Sequence, residues 1–326
     1  MRSSFLGGLC IGVCCWAGSW ILLIAGQVGN RHPDNDWVYS AYQLKKAAVG
    51  RLDNREKILV VGGSASMFGV DSALLSTILG KPALNFGTNA GLGPHVIARS
   101  VDSEIHDGDV VLMPIEYRLL LWDGLPSYVT ITWTLQYPQT FADWSLKTKL
   151  YALFSTPLSR VVEGYLMHPP VNLSGPYGAH RLNSLGDQTG SSSAERTDRQ
   201  AERIRRIPED DFVERYSQTV HGLRIWSAWW QKWRERGACV LVVPPPFHIE
   251  FSLSNDDYRS FFSKVPDRVS AYGVHYMGTP LDFIFSYDDM FDTNYHLASE
   301  ARDTYTRKIA DLVLEYRSIC AMGKDA

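Results

Sequence analysis

The order of apolar and polar positions divides the chain into three stretches. From Phe5 to Asn30, "FLGGLCIGVCCWAGSWILLIAGQVGN" carries no charged side chain. At about 1.5 Å of helical rise per residue, that run is long enough to cross a hydrocarbon core. Residues 31–55 are polar and helix-compatible, a membrane-proximal connector. From residue 56 onward, short continuous apolar runs alternate with stretches of helical spacing. "KILVV", "PALNFG" and "VVLMPIE" predict three buried strands. Between the first two, Asp71 is placed to cap a helix through "SALLSTIL" and Gly80 to stop it. "GPHVIARSVDSEI" predicts the next helix.

The alternation breaks at Tyr117. From there to Met167 the chain is aromatic and aliphatic with few strand signals, and 168–207 is rich in Pro, Gly, Ser and Asn. "GDQTGSSSAERTDRQ" reads as a surface loop. Alternation resumes with a long helix over "EDDFVERYSQTVHGLRIWSAWWQKWRERG" and the strand "ACVLVV", which "PPPFH" ends because consecutive prolines cannot continue a ladder. "GVHYMG" and a terminal helix over "HLASEARDTYTRKIADLVLEY" follow. Strand–helix alternation predicts an α/β fold: a three-layer α/β/α, flavodoxin-like domain with a central parallel sheet. The expected organisation is an anchor at 1–30, a connector at 31–55, and an α/β domain at 56–326. A mostly helical insertion occupies about 117–207.

Composition narrows the class. Of 326 residues, 45% are hydrophobic and 21% charged, and the formal net charge of -3 leaves no basic footprint for nucleic acid. The first apolar run exceeds the ~7–15 residues of a signal-peptide core, so an uncleaved anchor is expected. Ala17-Gly18-Ser19 keeps a small-x-small cleavage site open. Leu9, Val13 and Cys14 precede the three cysteines of the run, which speaks against a lipoprotein site. Arg2 and Arg31 separate the two ends weakly; one span and a large C-terminal domain favour a cytoplasmic N-terminus. The soluble part is then periplasmic or extracellular, tethered to the inner membrane by a single pass. Gly8 and Gly12 allow another helix close approach. Cys239 reads as a small buried hydrophobe, and no Cys/His spacing suggests a metal site or a cofactor.

Candidate chemistry begins at "ILVVGGSASMFGVDS". Ser64 falls just past the first strand, and open parallel sheets bind ligands at the carboxyl ends of their strands. Gly62 and Gly63 permit a sharp exit whose backbone N–H groups can face an oxyanion. A phosphate loop would need Lys after the glycines, and Val70 follows Gly69 instead. A nucleophilic serine needs a base, usually a histidine oriented by a carboxylate. "DMFDTNYHLASEAR" supplies both: His296 just before the terminal helix and Asp292 four residues earlier. His248 after the prolines reads as a surface or packing residue in preference to a cleft residue. The tryptophans of "IWSAWWQKW", like Trp122, Trp133 and Trp144, read as core or insertion contacts rather than as a sugar platform.

These segments resemble the SGNH/GDSL hydrolase superfamily. "GGSASMFG" is similar to its first block, which places the nucleophile at Ser64. "DTNYHL" is similar to its last block, which supplies Asp292 and His296. "LNFGTNAG" is similar to its second block, so Gly91 (or Gly87) is implied as an oxyanion donor. Two departures stand out. Three residues separate Asp292 from His296 where the family has two, with Asp288 and Asp289 nearby as alternative carboxylates. The third block is missing: Glu116 stands near its Asn position, where a carboxylate would repel an oxyanion, leaving Asn89 as the substitute donor.

Anchor, diverged SGNH-like domain and aromatic insertion together are similar to the membrane-anchored proteins of cell-envelope polysaccharide O-acylation. That resemblance implies a serine O-acyltransferase (O-acetyltransferase) or esterase working through an acyl-serine. Its substrates would be an exported polysaccharide or an acyl ester, its partner a multi-spanning membrane acyltransferase. The alternative is a non-catalytic SGNH-like scaffold that binds glycan or that membrane partner.

Overall fold

The apolar runs become strands where they are short and rich in Val, Ile and Leu, residues whose branched side chains pack well on a pleated surface. The computed structural model describes residues 2–52, 55–167, 177–205, 220–248 and 256–316. Its strands are β1 (Ile58–Val60), β2 (Ala83–Asn85), β3 (Val110–Pro114), β4 (Cys239–Val243), β5 (Phe247–His248), β6 (His275–Tyr276) and β7 (Ile284–Phe285). Five of them form a parallel sheet in the order β2-β1-β3-β4-β6. Ile58 stands opposite both Ala83 and Val110, Val110 opposite Cys239, and Leu241 opposite His275. Successive residues such as Leu59, Val60, Val111 and Leu112 are all buried, which is why these strands read as continuous apolar runs instead of alternating ones.

The chain separates into two compact units, Met1–Asp36 with Leu125–Asn172, and Trp37–Gly124 with Leu173–Ala326. The expected insertion at 117–207 is thus divided. Residues 125–172 belong with the N-terminal segment, while the stretches on either side belong to the sheet unit. The expected connector is a helix, α2 (Pro33–Gly50), which follows α1 (Arg2–Ala25) and within which the division falls. Pro33 suits a first helical turn, having no N–H to leave unpaired, and Asp34 and Asp36 complement the positive end of the helix dipole.

In the sheet unit, Ser64 opens the short helix α3 (Ser64–Gly69), followed by α4 (Ser72–Leu79), α5 (Gly93–Val101) and α6 (Tyr117–Leu120). α4 has the boundaries its sequence predicts. Asp71 Oδ1 accepts from the N–H of Leu74 at 2.8 Å, and Gly80 ends the helix at φ 69°, a left-handed turn that a Cβ would strain.

The unit's later helices are α10 (Asp198–Arg205), α11 (His221–Glu235), α12 (Asp256–Ser270) and α13 (Ser299–Glu315). α13 packs on α3 and α4, and α11 on α5. Trp226, Trp230 and Trp233 of α11 are completely buried. All three indoles donate, Trp226 to the Leu119 carbonyl at 3.2 Å, Trp230 to Met113 Sδ at 3.2 Å and Trp233 to Asp102 at 3.1 Å.

Two features depart from the sequence reading. The prolines after β4 do end that strand, but Phe247 and His248 then pair in parallel with Ile284 and Phe285 as a separate two-stranded sheet. Cys239, expected to be a small buried hydrophobe, is half-buried and disulfide-bonded, while Cys10, Cys14 and Cys15 are free thiols.

The other unit consists of α1 with α7 (Tyr128–Gln136), α8 (Leu146–Ser155) and α9 (Leu158–Leu166). Ile24, Ile131, Leu135, Trp144 and Val161 form its core. Among the described residues one helix, Leu6–Ala25, is long and apolar enough to cross a membrane.

Replacing Asp71 with Ala removes the α4 cap while leaving its backbone free to bond Thr306. The expected cost is about 1 kcal/mol of unfolding free energy, measured by urea titration of the two proteins side by side.

Candidate functional site

The turn that carries Ser64 is built around a buried carboxylate. Glu116, two residues beyond β3, is 1% exposed and accepts from the N–H of Gly63 (3.0 Å) and of Ala65 (2.8 Å). The donors flank Ser64 on both sides, so one side chain fixes the backbone that presents the hydroxyl. Burial pushes the Glu116 carboxyl above its ordinary value, against the pull of those backbone donors and of His296.

The glycines before Ser64 are required by close packing, since neither has a positive φ. A Cβ on Gly63 would collide with Glu116 Oε1 and come within 2.7 Å of Ala90 Cβ. One on Gly62 would strike Ser66 Oγ and come within 2.9 Å of the Pro114 carbonyl. Gly87 is constrained likewise, its missing Cβ only 2.6 Å from the Met67 nitrogen and 2.7 Å from the Gly63 oxygen.

A second polar cluster supports the turn from below. Asp187 accepts from Ser72 Oγ (2.6 Å), the Ser72 N–H (3.0 Å) and the Asn85 amide (3.0 Å). The same Asn85 amide donates to the Ser66 carbonyl at 2.8 Å, and its oxygen accepts from the Gly87 N–H at 2.9 Å. Lys45, buried in α2, donates to the carbonyls of Asn85 (2.7 Å) and Gly186 (2.6 Å). Burial pulls its ammonium down to about 7 against the attraction of Asp187.

His296 and Asp292 meet as their sequence suggests, through a hairpin-like loop. Met290 and Leu297 form an antiparallel bridge and the Phe291 N–H donates to the His296 carbonyl at 2.7 Å. The loop turns inside that closure, so three intervening residues still bring imidazole and carboxylate together. His296 Nδ1–H donates to Asp292 Oδ1 at 2.6 Å, and Tyr177 donates to Asp292 Oδ2 at 2.6 Å. Burial opposes ionisation of Asp292, but the imidazole and these two hydrogen bonds outweigh it and hold the carboxyl below its ordinary value. Asp289 is occupied elsewhere, accepting from the Ser286 N–H and hydroxyl, and Asp288 is exposed. His248 packs: Nδ1 lies 2.9 Å from the Phe285 carbonyl, and its N–H supports the loop by donating to Asn294 O at 2.8 Å.

Phe68 connects the two halves of the site. Its ring stacks on the His296 imidazole with centroids 4.1 Å apart and planes at 4°. Phe68 follows Ser64 by four residues in α3, which puts both on the same helix face one turn apart. With Nδ1 committed to Asp292, Nε2 is the atom left to act as a base. The Ser64–His296 hydrogen bond is not formed. Among the described residues Ser64 Oγ has no hydrogen-bond partner.

The expected oxyanion residues are arranged differently from the sequence reading. The Gly91 N–H donates to Asn89 Oδ1 at 2.8 Å, and the Gly87 N–H is taken by Asn85. Gly91 thereby orients the Asn89 amide, whose Nδ2 has no partner among the described residues. Ala90, beside Asn89, is the residue that lies against Gly63.

Tyr177, Phe68 and Asp187 were not singled out from sequence. Tyr177 sits in a Pro/Gly-rich stretch with no periodicity to place it, and Phe68 reads as an ordinary helix hydrophobe.

Apart from this site, His32, Asp34 and Glu163 of the other unit bring potential metal-ligand atoms within 4.8 Å of one another. His32 Nε2 is buried without a hydrogen-bond partner. Burial and the nearby Arg160 guanidinium hold His32 below its ordinary value.

No protein-family model, no curated protein and no solved structure matches this chain.

Two outcomes follow for the site's framework. Glu116→Ala strands two buried N–H groups, each worth roughly 1–3 kcal/mol, and should lower unfolding free energy by about 2–6 kcal/mol in urea. Glu116→Gln keeps one acceptor oxygen and should lose about half of that.

Lys45 gives a pH dependence. The unfolded chain keeps this proton to about 10.5 while the folded protein releases it at about 7, so between those values the unfolded state binds more protons. Stability on Lys45's account should therefore rise from pH 7 to about pH 9.5. Urea midpoints of Lys45→Met, compared with wild type across that window, should lack this rise.

Proposed function

We propose that this chain is a membrane-anchored, SGNH-like serine O-acyltransferase or esterase acting on a cell-envelope or exported polysaccharide. The observation that carries the reading is the His296–Asp292–Tyr177 chain of hydrogen bonds stacked on Phe68, on the helix face that bears Ser64. In this reading the two elements converge where ligands gather in parallel sheets, beyond the carboxyl end of β1. The sheet's strand order, 2-1-3-4-5 when its members are numbered among themselves, is that of flavodoxin-like folds and supports a three-layer arrangement.

His296 Nε2 takes the Ser64 hydroxyl proton as Oγ attacks the acyl carbonyl carbon. The backbone N–H of Ser64 and Nδ2 of Asn89 receive the developing oxyanion, in place of the donors the family draws from its missing third block. Collapse of the tetrahedral intermediate breaks the ester bond, and the imidazolium returns its proton to the leaving oxygen. A sugar hydroxyl, or water in an esterase, then gives its proton to His296 and attacks the acyl-serine. Collapse of this second intermediate breaks the acyl–Oγ bond as the imidazolium returns the proton to Ser64. Asp292 steadies the imidazolium in both halves, with its second oxygen held by Tyr177.

The compartment reading has two supports. α1 contains a span-length apolar segment, and Cys239 is disulfide-bonded, as befits an oxidising compartment. Inner-membrane anchoring with the sheet unit periplasmic or extracellular fits both. A multi-spanning membrane acyltransferase is the partner that would deliver acyl groups there.

A second reading, a non-catalytic scaffold for glycan or for that partner, is favoured by two observations. The Ser64–His296 hydrogen bond is absent, and Glu116 occupies two N–H groups beside the hydroxyl.

The two readings separate in cells producing wild-type, Ser64→Ala or His296→Ala protein at equal abundance. The catalytic reading expects ester-linked acyl groups on the envelope polysaccharide to fall, in both variants, to the level of cells lacking the protein. Wild-type acylation in both variants would establish the scaffold.

A further inference from the structure

The helices α8 and α9 carry two apolar faces each. Inward, Ala152 and Val161 pack into the core of their unit. Outward, α8 displays Leu146, Leu150 and Phe154, and α9 displays Leu158, Val162 and Leu166, each set repeating every four residues and therefore forming one stripe. Phe154 is 54% and Leu158 63% exposed. Soluble surfaces seldom leave contiguous apolar stripes of this length uncovered.

The position of these helices along α1 identifies what covers them. The Trp20 indole N–H donates to the Leu153 carbonyl at 2.8 Å, and Trp16 stacks on Phe154 with ring centroids 6.5 Å apart. Tyr165 of α9 donates to the Leu23 carbonyl at 2.8 Å. Trp20 and Trp16 precede the end of the apolar segment, Ala25, by five and nine residues. At the rise of an α-helix these contacts lie about 8 and about 14 Å inside that end. A helix seated beside Trp16 and Trp20 is therefore at hydrocarbon depth whenever α1 spans a bilayer.

The polar groups set the depth of each helix. In α9, Arg160 bonds Gln27 and Glu163 lies beside His32, both past the apolar segment, so α9 stands at the membrane exit and only the end of α8 reaches hydrocarbon. Lys147 and Lys149 stand at the α8 end remote from Phe154, where long side chains can reach headgroups. Near the α8–α9 turn, the Thr156 N–H and hydroxyl both bond the Ala152 carbonyl, at 3.1 and 2.7 Å. Backbone polar groups in lipid need such internal partners.

We propose that the C-terminal end of α8 is inserted into the leaflet beside α1, with Phe154 at its deepest point and lipid acyl chains as its covering. That insertion would hold the α1 unit against the membrane by more than a single span. This inference rests on the reading of α1 as a transmembrane anchor, and the experiment distinguishes the failure of each.

The full chain, with Cys10, Cys14 and Cys15 replaced by Ser, is given one new cysteine at Val13, Phe154 or Arg224. Each is labelled with an environment-sensitive fluorophore and the protein is reconstituted into phosphatidylcholine vesicles. Nitroxide-bearing acyl chains then quench whatever lies in hydrocarbon. Val13 reports the anchor, and Arg224, exposed on α11, serves as the reference outside the insertion. The expected result is quenching at Phe154 that matches Val13 and exceeds Arg224 several-fold, with Leu150→Cys, one turn back on the same α8 stripe, as a second quenched variant. Quenching at Val13 but not at Phe154 or Leu150 overturns the insertion and leaves the anchor standing. The same holds if those positions are blue-shifted yet unquenched, because protein and not lipid then covers them. Loss of quenching at all positions overturns both.

Discussion

The buried carboxylate of Glu116 is the constraint on which the candidate site depends. Two backbone N–H groups that would otherwise be stranded in the interior converge on it, and the residue between them is Ser64. A carboxylate accepts several hydrogen bonds at once, so a single side chain at the end of β3 can fix a turn after β1. The close approach this requires excludes a Cβ at Gly62 and Gly63, and it brings the Asn89–Gly91 turn alongside. Asn85, Asp187 and Lys45 then support α3 from the opposite side, with every polar group named there satisfied within the protein. The nucleophile candidate is thus mounted on a hydrogen-bonded frame that does not depend on a ligand for its shape.

Against that fixed turn, the loop before α13 needs only short-range geometry to present its base. Closure between Met290 and Leu297 makes a tight loop out of a spacing that looks one residue too long. Tyr177 restrains the second oxygen of Asp292, and Phe68 sets the plane of the imidazole. Preorganisation of this kind supports acid–base chemistry because the imidazole does not have to be reoriented as charge develops. The position of Glu116 also determines which N–H groups remain near Ser64. The N–H groups next to Ser64 serve the fold, and the oxyanion role passes in our reading to Ser64's own N–H and to Asn89.

Much of this was legible in the sequence, and the rest was hidden for identifiable reasons. Strand runs such as "KILVV" and "ACVLVV" are continuous because both faces are buried, and Asp71 and Gly80 mark helix ends through their local chemistry. Asp292 and His296 could be paired because turn residues and a helix start flank them, and the structure joins these two. Glu116 was visible only as an obstacle, since its partners are backbone groups and leave no sequence signature. Tyr177 reaches Asp292 across 115 residues of chain, and no local pattern records so distant a contact. The division of the 117–207 stretch was likewise invisible, because its aromatic composition suits a core and a lipid-facing helix equally well. The disulfide at Cys239 could not be read from an apolar strand in which a lone cysteine resembles a small hydrophobe.

The account stands on Ser64 being a nucleophile activated by His296. Its most direct test is reaction of the purified full-length protein with a serine-directed fluorophosphonate, followed by peptide mapping. The account predicts one phosphonyl group on the peptide containing Ser64, lost in Ser64→Ala and strongly slowed in His296→Ala while both variants keep the wild-type circular-dichroism spectrum. Undiminished labelling of folded Ser64→Ala, or no labelling of the wild type at any pH at which imidazole is neutral, would contradict it.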